Sequence, residues 1–266
     1  MGNGSASIDS RPVIERFVAA CSEDDRIVAA FLGGSLAGER ADAYSDVDLC
    51  VITRDGAYQD VVRDRLSLIR RLGEPLFVED WGNEGVVSFV LADGTEAEIF
   101  FGREGALDEL RLGPHRTLFD PTGILNGVTF AEERADPSDL ERVLPQTLSW
   151  FWHELSHFVK AMGRGQLWWA AGQLEALRGD CVNLVRIEQG VEAGDEPYWK
   201  LDDEIDTAAL APLQRTFVPM EREAILDAGR TLVRFFAERA PGVAESFELP
   251  YPSGLERIYV ERLREL

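Results

Sequence analysis

The chain has 266 residues, enough for one large domain or two modest ones, and its 45% hydrophobic and 28% charged content fits a globular protein. A net charge of −21 repels the phosphate backbone of nucleic acids, which argues against DNA or RNA as the main substrate, and it draws in small polycations. The same acidity also serves solubility or a high-salt habitat. No apolar run approaches a membrane span, and the polar start Met1-Gly2-Asn3-Gly4-Ser5 lacks the apolar core of a signal peptide. The expected setting is therefore the cytoplasm, without a membrane partner. Cys21, Cys50 and Cys181 are odd in number and widely spaced, and are expected to be buried free thiols.

Ser10 or Asp9 caps a first expected helix through about Ser22, with Val13, Ile14, Phe17 and Val18 as its apolar stripe. The bare apolar run 27–32 reads as a buried strand, ended by Gly33-Gly34-Ser35. Two glycines keep Cβ atoms away from an approaching phosphate and let successive N–H groups point into one concavity, to which Ser35 adds a hydroxyl. Residues 45–52 read as a second strand, and a period of two places Asp46 and Asp48 on one face. Neighbouring carboxylates repel, and hard oxygen donors of this kind suit Mg²⁺ bridging to nucleotide phosphates.

Residues 59–72 carry Val61, Val62, Leu66 and Ile69 at helical spacing, closed by Gly73. Strands are expected at 76–78, 86–91 and 96–101, the last two paired as a hairpin through Asp93-Gly94. Glu98 lies among Ala97 and Ile99-Phe100-Phe101, where an unpaired charge is unfavourable, so a metal or a proton-transfer role explains it; Glu96 shares its face and competes for that role. A short strand at about 115–119 leads into Asp120-Pro121-Thr122-Gly123, with Asp120 as a turn residue.

From Asp136 the composition turns helical. Ser138 with Glu141 forms a capping box for a helix through about Ala161, and a second helix covers 167–187. Further helices are expected at 202–210, 221–240 and 254–266, making a bundle. His153-Glu154-Leu155-Ser156-His157 matches the His-Glu-x-x-His pattern of zinc proteases, but no third ligand is evident downstream. Trp168 and Trp169 are adjacent, so both cannot face one core, and one lines a surface or cleft.

A strand, Gly33-Gly34-Ser35, a short loop, Asp46-x-Asp48 and a second strand together resemble the signature of the nucleotidyltransferase superfamily. The order of a mixed sheet followed by a helical bundle is similar to the aminoglycoside and lincosamide nucleotidyltransferases. The resemblance implies an α+β fold: a nucleotidyltransferase-type mixed sheet with flanking helices over 1–135, then an all-helical bundle over 136–266 that receives the acceptor. It also implies transfer of a nucleoside monophosphate, AMP from ATP or another NTP, to a hydroxyl of a small molecule such as an aminoglycoside or lincosamide. Gly34 and Ser35 would hold phosphates, and Asp46 and Asp48 would hold Mg²⁺. Glu98 would complete the metal shell, take the hydroxyl proton, or do both. Glu154, Trp168, Glu175 and Asp180 are the acceptor-binding candidates, with Trp169 beside them. A regulatory, antitoxin-like module and an enzyme acting on a housekeeping metabolite stay open as alternatives, as does assembly into a homodimer.

Overall fold

The computed structural model describes residues 9–38, 41–42, 44–79, 85–110, 112–131, 137–191, 193–194 and 196–266, with the backbone alone at 137–142 and at Thr207. The chain divides into two compact units, Met1–Glu133 and Arg134–Leu266.

In the first unit, α1 (Arg11–Ser22) starts after Ser10 with a proline in its first turn, and the Ser10 side chain makes no capping bond. Every residue of β1 (Ile27–Leu32) is buried, as a continuous apolar run requires of a strand covered on both faces. A single turn, α2 (Gly34–Ala37), separates it from β2 (Val47–Thr53). The expected strand start was early: Asp46 stands before β2 and is exposed, so the period-two argument that paired its face with Asp48 does not reach it.

The helix expected over 59–72 is two, α3 (Tyr58–Arg63) and α4 (Arg65–Leu72), broken at Asp64. The Asp64 carboxylate accepts from Arg26 Nη1 at 2.7 Å, and a short polar side chain engaged elsewhere is a poor helix interior. β3 (Pro75–Glu79), β4 (Val86–Leu91), β5 (Glu96–Arg103) and β6 (Arg116–Phe119) complete a mixed six-stranded sheet of order β3-β4-β5-β2-β1-β6. The β4–β5 pair is the expected antiparallel hairpin, with Gly94 at φ 87° in its turn. β2 and β5 run parallel, with Asp48 level with Glu98.

Alternation splits the strands between two cores. Leu49, Val51, Ile99 and Phe89 pack with Val13 and Phe17 of α1 and with Val61 and Ile69 of α3 and α4. On the other face Phe31, Cys50 and Ile52 pack with Leu125 and Phe130, from the segment after β6. Asp120 accepts from the N–H groups of Ile124 at 3.0 Å and Leu125 at 2.9 Å, which fixes that turn.

The second unit contains α5 (Pro137–Gly163), α6 (Leu167–Glu188), α7 (Leu201–Glu204), α8 (Ala211–Gln214), α9 (Arg222–Ser246) and α10 (Ser253–Arg264). The capping box of Ser138 and Glu141 falls on side chains outside the described residues. The helix expected over 202–210 is α7 followed by a separate turn, Thr207–Leu210, capped by Asp206. α9 runs through Pro241, past the expected end. The apolar stripe of α5 meets α9 where Phe151 stacks on Phe236 at 3.8 Å between ring centroids. All three cysteines are buried and unbridged, and burial pushes the Cys21 thiol up to about 12. Among the described residues no helix is long and apolar enough to cross a membrane.

Candidate active site

The first unit assembles a polar row across its sheet. Ser88 on β4, Glu98 on β5 and Asp48 on β2 occupy adjacent register positions, and each is half-buried between neighbours that are fully buried on the opposite face. The Ser88 hydroxyl donates to Glu98 Oε1 at 2.5 Å, a charge-assisted bond that fixes the carboxylate's orientation. Adjacent strands lie about 4.8 Å apart, so Asp48 and Glu98 are neighbouring like charges. Glu96, the competitor for Glu98's role, is exposed and pairs with Val90.

The glycine turn closes over this row. The Gly33 N–H donates to the Asp48 carbonyl at 2.9 Å, and Gly34 adopts φ 54°. A Cβ on Gly34 would lie 1.7 Å from Asp48 Oδ2, so this position needs glycine for both its conformation and its contact. The Ser35 hydroxyl oxygen is buried and has no hydrogen-bond partner, an unmet polar group beside a turn free of side chains. Gly34→Ala is expected to destabilise the first unit by about 1 kcal/mol or more, read by chemical denaturation. The left-handed conformation alone disfavours an L-residue by about 1–2 kcal/mol, and relief of the contact moves the Asp48 carboxylate.

Among the described residues no group of three His, Cys, Asp or Glu side chains is arranged to hold a metal ion. Asp46, Asp48 and Glu98 therefore do not form a ready-made cage. The Asp48–Glu98 pair still fits Mg²⁺, which is held through one or two carboxylates together with substrate phosphates and retained waters. The His-Glu-x-x-His match resolves into a helix surface. His153 and His157 have ring centroids 4.6 Å apart, and Glu154 Oε2 lies 3.5 Å from His157 Nδ1.

The second unit carries a cleft of about 860 Å³ among α5, α6 and the segment before α7. Glu154 from α5, Glu175 and Asp180 from α6, and Glu196 line it, with Trp150, Tyr198 and Trp199 as aromatic walls. Three of the acceptor-binding candidates thus meet in one place, and the fourth does not. Trp168, 85% exposed, borders a separate depression with Trp169 and Met220.

The cleft's charges are unequally compensated. The buried Arg178 pairs with Glu175 and is braced by Thr216, whose hydroxyl accepts from Nε at 2.8 Å and whose carbonyl accepts from Nη2 at 3.0 Å. Asp180 has no hydrogen-bond or ion-pair partner among the described residues. Burial, and then the neighbouring Glu154 charge, push it up to about 7. Burial, followed by the contact with Glu175, also holds the Tyr198 phenol well above its usual range. Lys200 Nζ lies 3.7 Å from the centroid of the Trp199 ring. Sequence reasoning missed Ser88, Trp150, Glu196, Tyr198 and Trp199. A hydroxyl in the same alternating face as Glu98, and a Pro-Tyr-Trp loop following an acidic helix, were the available signals.

Residues 14–85 match the family model described as the nucleotidyltransferase domain, a span that includes Gly34, Ser35, Asp46 and Asp48 and stops before Glu98. Among solved structures, an aminoglycoside 6-adenyltransferase from Bacillus subtilis is similar at 13% identity, over 98% of each chain, with a TM-score of 0.45. A chain of the E. coli MS115-1 CdnC:HORMA-deltaN complex is also similar at 13% identity, over 84% of this chain and 88% of that one, with a TM-score of 0.28. No curated protein sequence matches.

Proposed function

We infer that the chain transfers a nucleoside monophosphate, AMP from ATP, to a hydroxyl of a small polycationic acceptor of the aminoglycoside type. The observation that carries this reading is the Ser88–Glu98–Asp48 row beneath a turn where only glycine fits and where a serine hydroxyl has no partner. Gly34 and Ser35 receive the β- and γ-phosphates through backbone N–H groups and the free hydroxyl. Asp48 and Glu98, with Asp46 nearby in sequence, would hold Mg²⁺, which supplies neutralisation of charge on the transferred phosphoryl group and the leaving pyrophosphate.

Glu98 has one oxygen fixed by Ser88, and its other oxygen takes the proton of the attacking hydroxyl as the new O–P bond forms. The bond from the α-phosphorus to pyrophosphate breaks, and pyrophosphate leaves. For the acceptor, the acidic cleft with aromatic walls favours amines over neutral sugars, and the ring of Trp199 already stacks on an ammonium group. A lincosamide, with fewer positive charges, would use less of this lining.

The test is pyrophosphate release from each NTP, with Mg²⁺ present, against a panel of aminoglycosides and lincosamides. Release with ATP and an aminoglycoside is the expected result. Nucleotide binding without release in any combination would favour a regulatory module and overturn the reading.

A further inference from the structure

One wall of the acidic cleft, Gly194 with residues 196–199, is fastened to α6 by two buried polar side chains. The Asn183 amide works in both directions: Nδ2 donates to the Gly194 carbonyl at 2.9 Å, and Oδ1 accepts from the Gly194 N–H at 3.2 Å. Arg186, on the same side of the helix and 3% exposed, reaches the other end of the segment. Its Nε donates to the Pro197 carbonyl at 3.0 Å, its Nη2 to the Trp199 carbonyl, and its Nη1 pairs with Glu204 Oε2 of α7 at 2.9 Å.

A buried guanidinium is tolerated only when its donors are matched, and two carbonyls of this one segment are among its acceptors. Leu177, Cys181, Leu184 and Val185 pack the apolar side of α6, and its other buried arginine, Arg178, is matched by Thr216 and Glu175 instead of by this segment. Between the two anchor points the segment presents Glu196, Tyr198 and Trp199 to the cleft.

We propose that Asn183 and Arg186 are positioning residues that set acceptor selectivity by holding Gly194 and residues 196–199 as a preordered wall. The inference rests on the reading of this cleft as the acceptor site. A wall already ordered in the free protein spares the ligand the entropy of immobilising three large side chains, and it discriminates by shape as well as by charge. A loosened wall keeps the acidic attraction and loses the shape. Ring-borne amines should then lose more than flexible ones.

The test uses the full chain with two probes, kanamycin as a rigid polyamine and spermine as a flexible one, whose binding is measured by calorimetry. Arg186→Lys keeps the charge but cannot span two carbonyls. It is expected to weaken kanamycin binding by about tenfold, to leave spermine binding within about twofold, and to leave ATP-analogue binding unchanged. Amide hydrogen exchange at Gly194 and Trp199 should quicken in parallel. Asn183→Ala, which releases the Gly194 end and also takes an amide from the cleft lining, should move each quantity in the same direction, and with its exchange readout it carries the test if Arg186→Lys does not fold.

Equal weakening of both probes, or unchanged exchange in the segment, overturns the inference. So does a wild-type chain that binds neither probe. If selectivity is present and lost as expected but no pyrophosphate is released with any acceptor, the transfer reading fails and the positioning role stands.

Discussion

Asp48→Asn is expected to lower pyrophosphate release by about three orders of magnitude or more while leaving the fold intact. The loss follows from the position of Asp48 level with Glu98 and against Gly34, where the two carboxylates are neighbours in the polar row. Charge stabilisation of a transferred phosphoryl group is worth several kcal/mol, and each 1.36 kcal/mol is a factor of ten in rate. The fold should survive because β2 is held by Val47, Leu49, Val51 and Ile52, all buried, and because asparagine keeps the shape of aspartate. Removing one of two neighbouring like charges should leave the melting temperature unchanged or raise it, as happens where a site is built at the expense of stability. Circular dichroism melts beside the pyrophosphate assay check both halves. Activity near wild type would sink the assignment of the row as the transfer site.

The second large effect concerns Asp180 and pH. Its carboxyl is pushed up to about 7, first by burial and then by the Glu154 charge, so the folded chain holds this proton more tightly than the unfolded chain does. Between about pH 4 and pH 7 the folded state therefore binds more protons at this group. Its contribution to stability falls as pH rises through that window and is least favourable above it. Asp180→Asn carries no such penalty, so its melting temperature should exceed that of wild type at pH 8 and approach it at pH 5.

Ligand binding should run the other way. Kanamycin keeps a net positive charge from pH 6 to 8, so its affinity for the wild type should rise relative to that for Asp180→Asn across that range as Asp180 ionises. At pH 8 the variant is expected to bind about ten- to a hundredfold more weakly, the value of a hydrogen bond to a charged group. Calorimetry at pH 6, 7 and 8 settles both signs. A wild-type affinity that does not rise relative to that of Asp180→Asn would remove Asp180 from the cation-binding role.

Most of the sheet was legible in the sequence because its strands are short apolar runs with few competing readings. β1 shows as an unbroken apolar stretch, and the β4–β5 hairpin as alternation around Asp93-Gly94. The errors fall where a local rule was carried past the element that obeys it. Alternation holds only within a strand, and Asp46 is outside one. Helical spacing over 59–72 carried no sign that Asp64 is engaged by Arg26 from the start of β1.

The site was legible only in part. Gly34, Ser35, Asp48 and Glu98 stand out by residue type, whereas Ser88 matters through a cross-strand partner that only pairing register reveals. The cleft was the hardest to read. Trp168 drew attention by size yet is exposed away from it, while Tyr198 and Trp199 face it because Asn183 and Arg186 tie their segment back to α6. Such ties between a helix and a following loop leave no periodic trace in a sequence.

The parallel pairing of β2 with β5 has a consequence for how the site comes into being. Asp48 is in place once β1 and β2 form, but its partner arrives only after the chain has passed through two helices and two further strands and returned to β2's open edge. Contacts this distant in sequence close late in folding. A chain stopped after residue 85 would contain the whole matched family segment and still leave one side of β2 bare. Activity should thus appear in the last stage of refolding, together with docking of the β4–β5 hairpin, and a hairpin weakened by substitution would part the two carboxylates before the rest of the unit unfolds.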